Sequence, residues 1–223
     1  DYNNLSDLNV LSKYWIKAQE KIQVNGDFAF FKSHSANMSI FNSPFTNKEN
    51  SLGLIYLVRD PRDIALSYSK HQNKSLDEII EIMTTTAALT FTSDKKNKRY
   101  PVLMSRWDEH YISWTHLEVP KLIIKYEKLL NETEIVLEEI IKYFHNNFKI
   151  KIKNHDKKIS NILLSTSFEE LKKHENKYGF KEAKKSKFFR KGLSGQWHTD
   201  LLTKHINLIN KEFKATMKEL SYL

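Results

Sequence analysis

Three short stretches hold side chains that can do chemistry. In the run Leu54-Ile-Tyr-Leu-Val-Arg-Asp-Pro-Arg-Asp, an apolar segment delivers Arg59 to its end, and Ser67 follows eight residues later. Asp60 is a good helix N-cap, Pro61 a good first helical residue, and Asp63 falls in the first turn. A planar cation at a strand's carboxyl end, with a hydroxyl two helical turns on, suits a phosphate. The plainer alternative is an Arg59–Asp63 or Arg62–Asp ion pair on a capped helix. The second stretch, Phe188-Phe189-Arg190-Lys191-Gly192, ends in Gly195-Gln196-Trp197. Glycine lets main-chain N–H groups approach an anion that adjacent cations neutralise; the alternative is a basic turn before a helix. The third is Lys32-Ser33-His34. A histidine titrates near neutral pH and can serve as a general base, although a lone histidine is more often structural. Trp107, His110 and Trp114 fall at helical spacing and read first as a core stripe.

The elements that must position these groups alternate in type. Residues 5–24 read as an amphipathic helix and Phe28 to Lys32 as a short strand. Residues 35–51 read as a loop, and Leu52 to Val58 as a strand buried on both faces. Helices are expected from Pro61, over 76–92, over 104–117 (entered through Tyr100-Pro101), over 131–147 and over 199–220, with a third strand at Lys121 to Tyr126. Basic loops and short helices fill 149–191. Strand–helix alternation predicts an α/β fold, a parallel sheet flanked by helices, in a single domain spanning 1–223. Three strands make that sheet thin.

Composition narrows the class. The chain has 223 residues, with 36 Lys+Arg against 27 Asp+Glu and a net charge of +9. Fifteen basic and five acidic residues lie in 142–191, so one segment carries the excess. Only five of the cations are arginine, which makes each arginine informative. The absence of cysteine excludes disulfide frameworks and cysteine-ligated metal sites. Five glycines and four prolines exclude collagen-like and linker classes. The sequence carries no HExxH, no EF-hand loop and no usefully paired carboxylates, so no metal site is expected. No segment reads as a membrane span or signal peptide, so a soluble, cytoplasmic protein is expected.

Taken together, the stretches resemble the sulfotransferase family that uses 3′-phosphoadenosine-5′-phosphosulfate (PAPS). The likeness runs from about Phe28 to Trp197 and rests on five pieces in order: Lys32-Ser33-His34, Arg59 with Ser67, Tyr126-Glu127, Thr166-Ser167-Phe168, and Arg190-Lys191-Gly192 with Gly195-Gln196-Trp197. The resemblance implies a fold like that of P-loop nucleotide-binding enzymes. It implies sulfuryl transfer from PAPS to a hydroxyl or amine of a small-molecule acceptor, with PAP as product and no metal. His34 would be the base and Lys32 a transition-state cation. Arg59, Ser67, Arg190, Lys191 and Gly192 would grip the 3′-phosphate. Tyr126, Phe168, Phe188 and Phe189 would enclose the adenine, with Thr166 and Ser167 nearby. The loop 35–51, with Asn37, Met38, Phe41 and Phe45, would line the acceptor pocket.

One family piece is missing. The glycine-containing phosphosulfate loop that follows the first strand does not occur, so Asp1 is expected to lie downstream of it. The stretch after Trp197 matches the family's dimerisation segment poorly and leaves the oligomeric state unread. Rival readings are a kinase, which would need a Walker A loop that the chain lacks, a basic nucleic-acid-binding protein using 142–191, and a non-catalytic nucleotide-binding remnant.

Overall fold

The computed structural model describes residues 4–24, 26, 28–93, 98–180, 183, 187–189 and 191–223. In chain order, helices α1 (Leu8–Ser12) and α2 (Trp15–Glu20) precede the two-residue strands β1 (Ser39–Ile40) and β2 (Ser43–Pro44). Strand β3 (Leu54–Val58) is followed by α3 (Pro61–Gln72) and α4 (Leu76–Thr84), then β4 (Leu89–Ser93), β5 (Arg99–Leu103) and α5 (Trp107–Thr115). Strand β6 (Lys121–Lys125) leads into α6 (Tyr126–Asn131), α7 (Thr133–Phe148), α8 (His155–Ser165) and α9 (Phe168–Tyr178). Helices α10 (Trp197–Asp200), α11 (Thr203–Glu212) and α12 (Lys214–Glu219) close the chain. The architecture is α/β, with β3 and β6 paired as a parallel sheet flanked by helices.

The chain divides into two compact units, Asp1–Leu54 with Glu81–Lys121, and Ile55–Ile80 with Leu122–Leu223. In the first, β4 and β5 form an antiparallel hairpin in which Leu89 faces Leu103 and Phe91 faces Pro101. A two-stranded sheet has only edge strands, so Pro101 costs no interior ladder bond. Strands β1 and β2 turn tightly through Phe41 and Asn42, both at positive φ. The core of this unit gathers Ala36, Met83, Leu103, Tyr111 and Leu117.

In the second unit, Asp60 caps α3 by accepting the Arg62 N–H at 2.9 Å, and Pro61 opens the helix. Helices α10 and α11 pack on α3. Val58, Ala65, Ile124, Val136, Ile209, Phe213 and Met217 are buried here.

Several elements differ from the sequence expectation. Residues 28–32 form no strand, and Phe30 and Phe31 are 73% and 69% exposed; an apolar run becomes a strand only where a neighbour completes its ladder, and among the described residues none does. The 5–24 helix breaks into α1 and α2 at Lys13-Tyr14. The expected 76–92 helix ends at Thr84, because Leu89 to Ser93 pairs with β5, and that pairing also takes in Tyr100 and Pro101. Strand β3 is not buried on both faces: Ile55 and Leu57 are exposed while Val58 is buried, so one face stays open. The 199–220 helix is three helices.

Candidate functional site

The second unit builds a cation-rich site around the carboxyl end of β3. Arg59 leaves the strand just before the Asp60 cap, so its guanidinium is set by the strand end rather than by a free loop. Its Nη2 donates to the Leu193 carbonyl at 3.0 Å and stands 3.7 Å from Asp63 Oδ2. The guanidinium lies over the Tyr126 ring, 4.4 Å from its centroid. Arg59 Nε is buried without a hydrogen-bond partner. A buried donor in that condition calls for an acceptor, and an anion's oxygen is one that a guanidinium fork fits.

Asp63 explains why the distant turn sits beside Arg59. It is 1% exposed, and its two oxygens accept the Gly195 N–H at 2.6 Å and the Trp197 N–H at 3.1 Å. Gly195 takes φ +75°, which lets both N–H groups turn inward. Arg62 has a different task. It forks onto buried Asp60 through Nε at 2.9 Å and Nη2 at 2.7 Å, donates to the Tyr222 carbonyl at 2.8 Å, and stacks 3.7 Å from the Trp197 ring centroid. Both ion pairs of the plainer reading therefore exist, one tight and one loose, and they leave the Arg59 Nε unused. Glu127 ties the end of β6 to this network: it accepts the Asp60 N–H at 3.0 Å and the Tyr222 hydroxyl at 2.9 Å. Burial first, and then the Glu127 carboxylate, push the Tyr222 phenol far above its ordinary value.

A second cluster adjoins the 187–193 segment. Phe188 and Phe189 pack on each other, both on Phe180, and Phe189 on Phe168. Gly192 takes φ +60° directly against the Phe168 ring. Glu175 of α9 is buried and accepts the N–H groups of Phe188 at 2.6 Å and Phe189 at 3.0 Å. Lys191 Nζ stands 3.8 Å from Asp200.

Of the sequence-derived residues, the structure brings Arg59 to Tyr126 and Leu193, and Phe168 to Phe189 and Gly192. Ser67 is half-buried two turns along α3. Thr166 ends α8, with its hydroxyl donating to the Ile162 carbonyl at 2.7 Å, and Ser167 caps α9 by accepting the Glu170 N–H. Arg190 lies outside the described residues. The sequence offers Asp63 as a partner of Arg59 and Glu127 as part of a Tyr-Glu pair, but not their roles as acceptors for distant main-chain and hydroxyl donors, and it gives no signal for Glu175.

Lys32 and His34 belong to the other unit and are exposed. The main chain around His34 is fixed: His110 Nε2 is 3.3 Å from the His34 carbonyl, Trp114 Nε1 donates to the Ser35 carbonyl at 2.9 Å, and the Ala36 N–H donates to the Leu103 carbonyl at 2.7 Å. So the Trp107–His110–Trp114 stripe turns two of its members to this strap, while Tyr111 fills the core. Burial pushes the His110 imidazole below its ordinary value. In the 35–51 loop, Phe45 packs between Trp15 and Trp114, whereas Phe41 is exposed. An open recess of about 390 Å³ lies beside it, lined by Asn37, Thr46, Lys48, Ser113 and His116 among others. Among the described residues no group of three His, Asp or Glu side chains stands ready to hold a metal, and no helix is long and apolar enough to cross a membrane.

Comparison with known proteins identifies the family and the fold. The family profile described as the sulfotransferase domain matches residues 10–221. Sulfotransferase 2A1 of Macaca fascicularis is 25% identical over 208 residues, and the human protein of the same name is 24% identical over 205. Each alignment takes in 85% of this chain, which spans 64% of the relative's length. Among solved structures, mouse sulfotransferase SULT7A1 complexed with PAP superposes with a TM-score of 0.55 at 22% identity, over 76% of this chain and 59% of that one. Retinol dehydratase in complex with androsterone and the inactive cofactor PAP gives a TM-score of 0.61 at 18% identity, over 91% and 56%.

Proposed function

Because the chain belongs to the sulfotransferase family, we propose that it moves a sulfuryl group from PAPS to a hydroxyl or amine of a small-molecule acceptor. The observation that supports this most directly is the buried, unpartnered Nε of Arg59, held at a strand's carboxyl end beside the Leu193 carbonyl. The donor supplies an activated sulfuryl group on a phosphate leaving group and would leave as PAP.

The chain's own residues divide the remaining work. Arg59 and Lys191, with Ser67 and the Gly192 N–H, bind the 3′-phosphate, and Arg190 takes the same role on the family motif. Charge-assisted contacts of this kind are the stronger class of hydrogen bond. Tyr126, Phe168, Phe188 and Phe189 offer ring faces to the adenine, next to Thr166 and Ser167. His34 removes the acceptor proton, and Lys32 offsets negative charge developing on the transferring oxygens. Positioning and charge stabilisation suffice for such a transfer, so no metal is assigned a part. The recess beside the 35–51 loop is the acceptor-binding candidate, with the polar groups of Asn37, Ser113 and His116 orienting a hydroxyl.

Titration calorimetry with 3′,5′-adenosine bisphosphate tests the reading. Saturable binding by the wild type, weakened at least about tenfold in Arg59→Ala through loss of a charge-assisted contact, is the expected result. No binding at millimolar ligand, or equal affinity in the variant, removes it; salt-sensitive binding to DNA or RNA in its place would favour the basic-segment alternative.

A further inference from the structure

We infer that Glu175 is a positioning residue for the donor nucleotide: it fixes the main chain of Phe188 and Phe189 so that the following Lys191 and Gly192 are presented in one place. This rests on the donor-site reading above and adds a residue to it.

Glu175 is 6% exposed, and a carboxylate that far from water must be compensated by donors. Its partners are two successive main-chain N–H groups, Phe188 at 2.6 Å on one oxygen and Phe189 at 3.0 Å on the other. Such a bond pair fixes peptide orientation, since both N–H vectors must converge on one carboxylate. The same helix makes a second clamp. Phe168 and Glu175 are seven residues apart on α9, hence on one face and about 10.5 Å apart along its axis. Phe168 presses on Gly192 so closely that a Cβ there would stand 2.5 Å from the ring. The two clamps hold Phe188 with Phe189, and Gly192, against α9. Main chain held at Phe188, Phe189 and Gly192 before the nucleotide arrives need not lose that freedom on binding, which raises affinity.

The experiment is calorimetry with 3′,5′-adenosine bisphosphate on the wild type, Glu175→Gln, Glu175→Ala and Arg59→Ala, with circular dichroism to confirm folding. Glutamine keeps one acceptor oxygen, so affinity should fall in steps, several-fold for Gln and about 10–100-fold for Ala. A folded Glu175→Ala protein that binds like the wild type, while Arg59→Ala does not, overturns the inference and leaves the donor site standing. A wild type that does not bind overturns both. Should the Glu175 variants fail to fold, hydrogen exchange on the wild type decides: protected Phe188 and Phe189 amides in the ligand-free protein support the clamp, and exchange at the rate of an unstructured peptide overturns it.

Discussion

Arg59 donates to the main-chain oxygen of Leu193 at 3.0 Å, across 134 residues of sequence. Asp63, one helical turn after Arg59, receives the Gly195 and Trp197 N–H groups. One five-residue span therefore supplies both a cation and a carboxylate to the same distant turn, the first through its charged end and the second by satisfying main-chain donors.

That division gives Asp63 a structural consequence. Asparagine in its place would turn an NH2 group towards one of two N–H donors and leave that donor buried and unsatisfied. Asp63→Asn is expected to lower unfolding free energy by about 2–3 kcal/mol, read from urea denaturation. A change below about 0.5 kcal/mol, the range of a surface substitution, would show that the turn is held by other contacts.

Gly192 is constrained twice, by φ +60° and by the Phe168 ring. Gly192→Ala should destabilise by about 1–3 kcal/mol through crowding, with a further 1 kcal/mol or so from the left-handed backbone. Combining it with Phe168→Ala removes the ring that the new Cβ meets. The double variant should be less destabilised than the sum of the singles, and strict additivity in that cycle would deny the contact.

Local signals and distant partners account for what could be read in advance. The Arg59–Asp60–Pro61 junction was legible because an apolar strand, an N-cap and a first-turn proline are all encoded within a few residues. Strand β4 carries a helical signal because Leu89 follows an apolar helical run; its state is set by pairing with Arg99–Leu103. Phe28 to Lys32 has strand composition without a ladder neighbour among the described residues, and β propensity is mostly a statement about neighbours. The distant partners of the carboxylates are hidden for the same reason. Asp63 and Glu127 find Gly195 and Tyr222, 132 and 95 residues away, and no spacing rule reaches that far.

Tyr222 predicts an alkaline loss of stability. Its phenol is raised by burial and by Glu127, so the folded state holds the proton above the unfolded value of about 10. The contribution is fully present below about pH 10 and is lost as pH rises from there towards the folded pKa. Urea midpoints of the wild type should fall relative to those of Tyr222→Phe between about pH 10 and 11.5. Parallel curves for the two proteins would remove Tyr222 as the cause.

His34 offers a clean separation of chemistry from folding. Its side chain is exposed, while its main chain and that of the next residues are held by His110, Trp114 and Leu103. Truncation to alanine leaves those main-chain contacts in place, so stability should move by no more than about 0.5 kcal/mol. As the proposed base, its loss should lower sulfuryl transfer by about 10²–10⁴-fold. Affinity for 3′,5′-adenosine bisphosphate, which rests on Arg59 and its neighbours, should be unchanged. Turnover measured with labelled PAPS, beside calorimetry on the same variant, separates the two. Wild-type turnover in His34→Ala would take this histidine out of the reaction, and a matching loss of nucleotide affinity would reassign it to binding.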